Sequence, residues 1–146
     1  WGFDIYTRIN NLDTTEFKAK TDKYADIEKN EQRWENYQVE DAEVIAVAFG
    51  ISSRIAKEAV KIARKQGIRL GLIRPKTLWP YPVAAFKNLS PDLKGFISVE
   101  MNILGQMAED VRAAAQYKYD VKQYNTFFDV PNSETIVEMA AKMADR

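Results

Sequence analysis

No cysteine and no histidine occurs among the 146 residues of this chain. Together these absences exclude thiolate nucleophiles, cysteine-held iron–sulfur clusters, Cys/His zinc sites and imidazole general bases. Any chemistry must come from carboxylates, lysine, tyrosine, serine or a group held elsewhere, which points to a domain that binds, docks or supports. Net charge is missing as well, 21 basic residues standing against 21 acidic ones. A nucleic-acid surface works by releasing counterions to a basic patch; no basic run occurs here, which argues against a nucleic-acid partner. No apolar run approaches the roughly 20 residues that span a bilayer, and no signal peptide is visible. The expectation is a cytoplasmic chain without membrane contact, and the lack of cysteine agrees with a reducing compartment. An initiator methionine is also lacking. The chain opens Trp1-Gly2-Phe3, from which a piece of something longer is expected.

What is present suffices for one core: 46% of residues are hydrophobic and 12% aromatic. The pattern divides near residue 40. Residues 1–40 read as a linker carrying a charged amphipathic helix, with Asp13, Thr14 or Thr15 as its cap. From Thr14 to Tyr37 the apolar residues Phe17, Tyr24, Ile27, Trp34 and Tyr37 fall seven, three, seven and three apart, a narrow helical stripe. That stripe suits a linker helix lying on a domain better than a coiled-coil arm, because Lys20 and Glu31 interrupt it.

Residues 41–146 alternate between strands and helices. Glu43-Val-Ile-Ala-Val-Ala-Phe49 is a continuous apolar run, as expected for a strand covered on both faces. Ser52 or Ser53 then caps a helix with Ile55, Ala56, Ala59, Val60, Ile62 and Ala63 inward, closed by Gly67. Further strands are predicted over Ile68–Ile73, Gly95–Val99 and Val121–Tyr124. Helices are predicted over Val83–Leu89, Leu104–Lys118 and Ser133–Asp145. Strands alternating with helices of this length give a parallel sheet in a three-layer α/β/α sandwich with right-handed crossovers.

In such sheets ligands sit outside the carboxyl ends of the strands, and three segments arrive there. Gly50-Ile-Ser-Ser53 is a strand-to-helix turn whose N–H groups can hold a phosphate or carboxylate, or can be an ordinary serine-capped turn. Arg74-Pro-Lys-Thr-Leu-Trp-Pro-Tyr-Pro82 is stiffened by three prolines that hold Trp79 and Tyr81 in fixed directions. Glu100-Met-Asn102 closes another strand. Arg74 and Glu100 thus share one end of the sheet, either as a polar docking patch or as an internal pair fixing two loops. Neither has a partner that would make it a nucleophile or base, so no catalytic residue is assigned.

At these segments the chain resembles a family. Gly71-Leu-Ile-Arg-Pro75, Thr77-Leu-Trp-Pro-Tyr-Pro82, Val99-Glu-Met-Asn102 and Gly105-Gln-Met107 with Glu109-Asp-Val-Arg112 are similar to the C-terminal region of the alpha subunit of 2-oxoacid:ferredoxin oxidoreductases. Glu31-Gln-Arg-Trp-Glu-Asn-Tyr37 is similar to the linker helix of the branched-chain (ketoisovalerate) type. The resemblance covers roughly residues 20 to 124. It implies a transketolase C-terminal-domain-like fold, a mostly parallel sheet of about five strands with one antiparallel edge, for which the strand near residue 121 is the candidate. It further implies a whole enzyme that uses thiamine diphosphate, Mg, iron–sulfur clusters and coenzyme A to convert a 2-oxoacid to acyl-CoA, passing electrons to ferredoxin. In that picture this piece binds no cofactor and packs against the thiamine-binding and iron–sulfur subunits. The residues matching the family pattern, Arg74, Pro75, Trp79, Glu100, Asn102, Gly105 and Gln106, join Gly50, Ser52 and Ser53 as the candidate surface. Two departures stand out. Ile103-Leu104 intervene before Gly105, and Tyr124-Asn-Thr-Phe-Phe-Asp-Val130 replaces a glycine-rich segment, which suggests an apolar contact. Rival readings are a phosphate- or anion-binding module at Gly50–Ser53 and Arg74, and an adaptor working through the 14–37 helix. An exposed apolar patch around Trp79, Tyr81, Phe127 and Phe128 is expected if the domain waits for a partner.

Overall fold

The computed structural model describes residues 14–145, with side chains from Phe17 onward. It divides between Glu31 and Gln32. The first unit is a helix, α1 (Thr14–Asn30). The Thr21 hydroxyl donates to the Phe17 carbonyl 2.9 Å away along it, and Phe17 and Tyr24 are exposed. The expected cap at Asp13, Thr14 or Thr15 lies outside the described side chains, as does the linker expected over residues 1–13.

The second unit contains a five-stranded sheet. In chain order come β1 (Trp34–Tyr37), β2 (Val44–Ala48), α2 (Gly50–Lys65), β3 (Leu70–Pro75), a 3₁₀ turn (Val83–Phe86), β4 (Gly95–Glu100), α3 (Met107–Ala114), β5 (Asp120–Asn125) and α4 (Ser133–Ala144). The spatial order is β1-β3-β2-β4-β5. Pairing is parallel throughout except for β1 on β3. β2, Val-Ile-Ala-Val-Ala, is buried at every position because it lies in the middle of the sheet with a layer on each face.

Strand alternation sorts the core into two halves. On one face Val44, Ala46, Leu70, Leu72, Ile97 and Val99 meet α2 and α4. On the other Ile45, Val47, Ile73 and Phe96 meet the 3₁₀ turn and α3. There Phe96 lies between Phe86 and Tyr119, with ring centroids 5.5 and 5.6 Å away. Crossing from β2 to β3 over one face, and from β3 through β4 to β5 over the other, keeps each connection right-handed. The switch point of strand order falls between β2 and β4.

Two expectations are corrected. The helix expected over 14–37 ends at Asn30, and Trp34–Tyr37 is a strand. Trp34 and Tyr37 are three apart, a spacing that suits a helix stripe. Yet in the strand they point to opposite faces, Trp34 against the α3-side core and Tyr37 against the α2-side core. The antiparallel edge is therefore β1, while the strand near residue 121 pairs parallel with β4. Boundaries also tighten: the helix expected over Leu104–Lys118 is Met107–Ala114, because a loop occupies Met101–Gln106. The helix expected over Val83–Leu89 is only a four-residue 3₁₀ turn. Among the described residues no helix is long and apolar enough to cross a membrane.

Candidate functional site at the carboxyl ends of the strands

Four loops leave the carboxyl end of the parallel sheet, and each brings part of the expected surface. After β2, Phe49 occupies the cap position of α2 with no side-chain hydrogen bond. Gly50 follows with φ +57°, a left-handed conformation that glycine adopts without the penalty of a Cβ. Ser52 and Ser53 are buried rather than capping; the Ser53 hydroxyl donates to the Gly50 carbonyl at 2.7 Å. The serine-cap reading is thus corrected: the second serine ties down the first turn from within. Ile51, half exposed, is what this turn presents outward.

After β3, Pro75 is paired with Trp34 in the sheet and the Trp79–Pro80 peptide is cis. Trp79 is 60% exposed. Tyr81 turns inward instead, its ring 5.9 Å from Phe86. Its hydroxyl is buried and makes no hydrogen bond. Burial first, then the neighbouring charges of Asp110 and Glu100, pushes the phenol far above its ordinary range. Tyr81 is therefore removed from the expected exposed patch.

After β4 the polar residues build one loop. Glu100 is buried, and its carboxylate accepts from the Ser98 hydroxyl and from the Met107 amide, both at 3.1 Å. The second contact places a negative charge at the N-terminus of α3, where the first N–H groups lack intrahelical partners and the helix dipole favours an anion. Asn102 bridges the loop, its amide nitrogen donating to the Gln106 side-chain oxygen at 2.9 Å and its oxygen accepting from the Leu104 amide at 3.0 Å. Gly105 sits at φ +59°, and a Cβ there would come within 2.5 Å of the Asn125 amide nitrogen. Glu100, Asn102, Gly105 and Gln106 thus form one structural unit. Its product is a projecting tip, on which Ile103 and Leu104 are 61% and 74% exposed.

Arg74 and Glu100 do not pair. They stand on strands separated by β2, and their side chains leave opposite faces of the sheet. Arg74 shares its face with Glu35 on β1, the residue opposite it in the register, at 3.4 Å from Nη1 to Oε2. Glu35 also meets Lys57 of α2 at 3.3 Å and Lys76 at 3.9 Å. The Lys57 hydrogen bond and charge, aided by Lys76 and Arg74, hold its carboxyl below the usual carboxylate range. Sequence reasoning missed Glu35 because it fell in the segment read as helix; the Trp-Glu-Asn-Tyr alternation, four residues long, was the available signal.

The apolar remainder of this end is its most distinctive property. Among the described residues of the α/β unit, and apart from Val83 and Tyr117, every exposed large apolar side chain follows the carboxyl end of a parallel strand. They come from all four loops: Ile51, Leu78 and Trp79, Met101, Ile103 and Leu104, then Phe127, Phe128 and Val130. Phe128 is 89% exposed and its ring is edge-on to Phe127 at 4.4 Å. No group of three or more Asp and Glu side chains among the described residues converges as a metal site. The groove between the 3₁₀ turn and the end of α3, about 610 Å³ and lined by Phe86, Leu89, Lys118 and Tyr119 among others, lies at the opposite end of the sheet.

Comparison with known proteins matches this unit to a family described as pyruvate:ferredoxin oxidoreductase core domain II, over residues 42–139. The chain is 53% identical over 111 residues to the ketoisovalerate oxidoreductase subunit VorB of Methanothermobacter marburgensis, covering 76% of this chain and 31% of that protein. It is 34% identical over 101 residues to the 2-oxoglutarate synthase subunit KorA of the same organism, covering 69% of this chain and 25% of that one. The chain thus spans about a third or less of the curated relatives it matches. A solved structure of 2-oxoglutarate:ferredoxin oxidoreductase from Magnetococcus marinus, with 2-oxoglutarate, coenzyme A and succinyl-CoA bound, superposes with TM-score 0.65 at 26% identity. It covers 77% of this chain and 20% of that one. A split-gene transketolase gives TM-score 0.62 at 18% identity over 77% of this chain and 41% of that one, a likeness of fold.

Proposed function

We propose a role that starts from descent: the chain belongs to the pyruvate:ferredoxin oxidoreductase core domain II family, and its α/β unit serves as a non-catalytic assembly domain of a 2-oxoacid:ferredoxin oxidoreductase. The observation that carries this is the gathering of exposed apolar side chains on the loops at one end of the sheet. Water-facing apolar surface of this extent marks an interaction site, and aromatic residues such as Trp79, Phe127 and Phe128 are the kind that anchor interfaces. The 53% identical relatives are ketoisovalerate oxidoreductase subunits, which suggests 2-oxoisovalerate as the substrate; the proposed reaction converts it to acyl-CoA and carbon dioxide with reduction of ferredoxin.

Such an enzyme uses thiamine diphosphate with Mg, iron–sulfur clusters and coenzyme A as co-substrate. The residues here do not fit an iron–sulfur cluster, since the chain has no cysteine or histidine to ligate one. Nor, among the described residues, does any acidic group converge as a cation site. A cluster would therefore be ligated by other parts of the enzyme; in this proposal the thiamine site lies there too, and this domain shapes the surface those parts meet. Partners are the thiamine-binding and iron–sulfur subunits and, through them, ferredoxin. The compartment is the cytoplasm.

The test is anaerobic purification of the full-length protein from its own cells. Co-purifying subunits would be identified, and 2-oxoisovalerate-dependent dye reduction assayed with thiamine diphosphate and coenzyme A. Cysteine-rich and thiamine-binding subunits together with that activity are expected. Phe128→Ser combined with Leu104→Ser should release those subunits while leaving the thermal midpoint of the free domain unchanged, since surface substitutions fall within about ±0.5 kcal/mol. A solitary, inactive wild-type protein refutes the reading.

A further inference from the structure

We infer that the basic rim formed by Lys57, Arg74 and Lys76, beside the apolar loops, receives a carboxylate from a neighbouring subunit. The inference rests on the assembly role and adds the chemistry of the contact. Two arginines of the same unit show the argument. Arg64 has four of its five donors filled: both terminal nitrogens reach Asp41 at 2.7 Å, one of them also reaches the Gln38 carbonyl at 2.8 Å, and Nε reaches the Leu70 carbonyl at 2.9 Å. Arg74, with the same five donors, makes a single contact of 3.4 Å to Glu35. Lys76 approaches the same carboxylate only at 3.9 Å. Lys57 donates to it at 3.3 Å while its ammonium lies 4.7 Å from the Tyr37 ring centroid.

One carboxylate therefore faces three cations, and its four or so acceptor sites cannot satisfy eleven N–H donors. The local excess is two positive charges on a chain whose total is zero. All three cations stay partly exposed, between 39% and 51% of their side-chain surface. Arg74 and Lys76 enter the same loop as Trp79, so a partner seated on the apolar tip and Trp79 would place its edge over them. A planar guanidinium with free forks selects a carboxylate in two-point contact. An acidic side chain there would make short contacts with Arg74 and Lys76 while Glu35 keeps Lys57. Charge at the border of an apolar contact sets orientation and encounter rate more than affinity.

The experiment uses the co-purified complex of full-length subunits and a zero-length carbodiimide, which joins an amine to a carboxylate only within ion-pair reach. Peptides containing Lys76 joined to Asp or Glu of another subunit are expected. Arg74→Gln with Lys76→Gln should slow subunit association about tenfold at low salt and flatten its salt dependence. Links confined to Glu35 with unchanged association kinetics overturn the inference. In that case loss of assembly in the Phe128→Ser, Leu104→Ser variant shows that the assembly role itself survives. Millimolar pyrophosphate that shifts the Arg74 and Lys57 resonances of the free chain, and abolishes cross-links in the complex, would overturn it in favour of a free phosphorylated ligand.

Discussion

Replacing Glu100 by leucine tests how the Met101–Gln106 tip is held. Ser98 is fully buried and Glu100 nearly so. The leucine removes the acceptor of two donors at once, the Ser98 hydroxyl and the Met107 amide. A buried donor left without a partner costs about 1–3 kcal/mol, and two such donors give about 2–6 kcal/mol. For a unit of this size each kcal/mol moves the thermal midpoint by roughly 4 °C, so a fall of about 8–24 °C is expected by circular dichroism. Adding Ser98→Ala removes one of the orphaned donors and should restore about 1–2 kcal/mol. Glu100→Gln keeps an acceptor for Met107 and should lose less than the leucine variant. Hydrogen exchange gives a second readout: the Met107 amide should lose protection in the leucine variant and retain most of it in the glutamine one. A leucine variant within about 0.5 kcal/mol of wild type, or a double variant less stable than the single, would refute the capping account.

Three further outcomes follow from the geometry. Gly71→Ala would bring a Cβ within 2.6 Å of the Gln38 carbonyl and 3.1 Å of the Val39 Cα, backbone atoms that cannot rotate away; a loss of about 3 kcal/mol in urea unfolding is expected. Arg64→Gln should cost about 2 kcal/mol, because this side chain joins α2 to the β1–β2 connection and to β3. The carboxyl groups of Glu35, Asp41 and Glu43 are held low, chiefly by hydrogen bonds from Lys57, Arg64 and Arg69 respectively. Their native pKa values lie below the unfolded ones, so the unfolded chain takes up protons first. Their stabilisation is complete above about pH 5 and is lost as pH falls through the depressed native values. The thermal midpoint should hold between about pH 6 and 8, where a chain without histidine has little to titrate, and drop below about pH 4.

The central strands were legible because a run such as Val-Ile-Ala-Val-Ala has one physical meaning in a short chain: a strand with no solvent face. Helices α2 and α4 were legible for the complementary reason, since Ala56, Ala59, Val60 and Ala63 repeat on one side only. Trp34–Tyr37 was not, because four residues carry too little periodicity to separate period two from period 3.6, and its partner strand lies some forty residues downstream. The loops at the carboxyl ends followed from topology, and Trp79 is exposed on one of them; the exposure of Phe127 and Phe128 was expected only from the apolar residues of the 124–130 segment. The direction of Tyr81 depends on Phe86 and Phe96, a tertiary contact that no local pattern announces. The pairing of Arg74 with Glu35 rather than Glu100 needed both strand order and side-chain parity, and strand order is what one sequence withholds.

The antiparallel strand β1 changes how this protein can be dissected. A fragment cut at residue 41, where the charge pattern alone invites a boundary, would keep every helix of the α/β unit yet strip the outer neighbour from Leu70–Pro75. A bare row of backbone donors and acceptors on an apolar strand is a template for strand addition from other chains. Shortened expression pieces of this domain should therefore precipitate unless they begin at or before Gln32, and a graft into another enzyme must carry those nine residues with it.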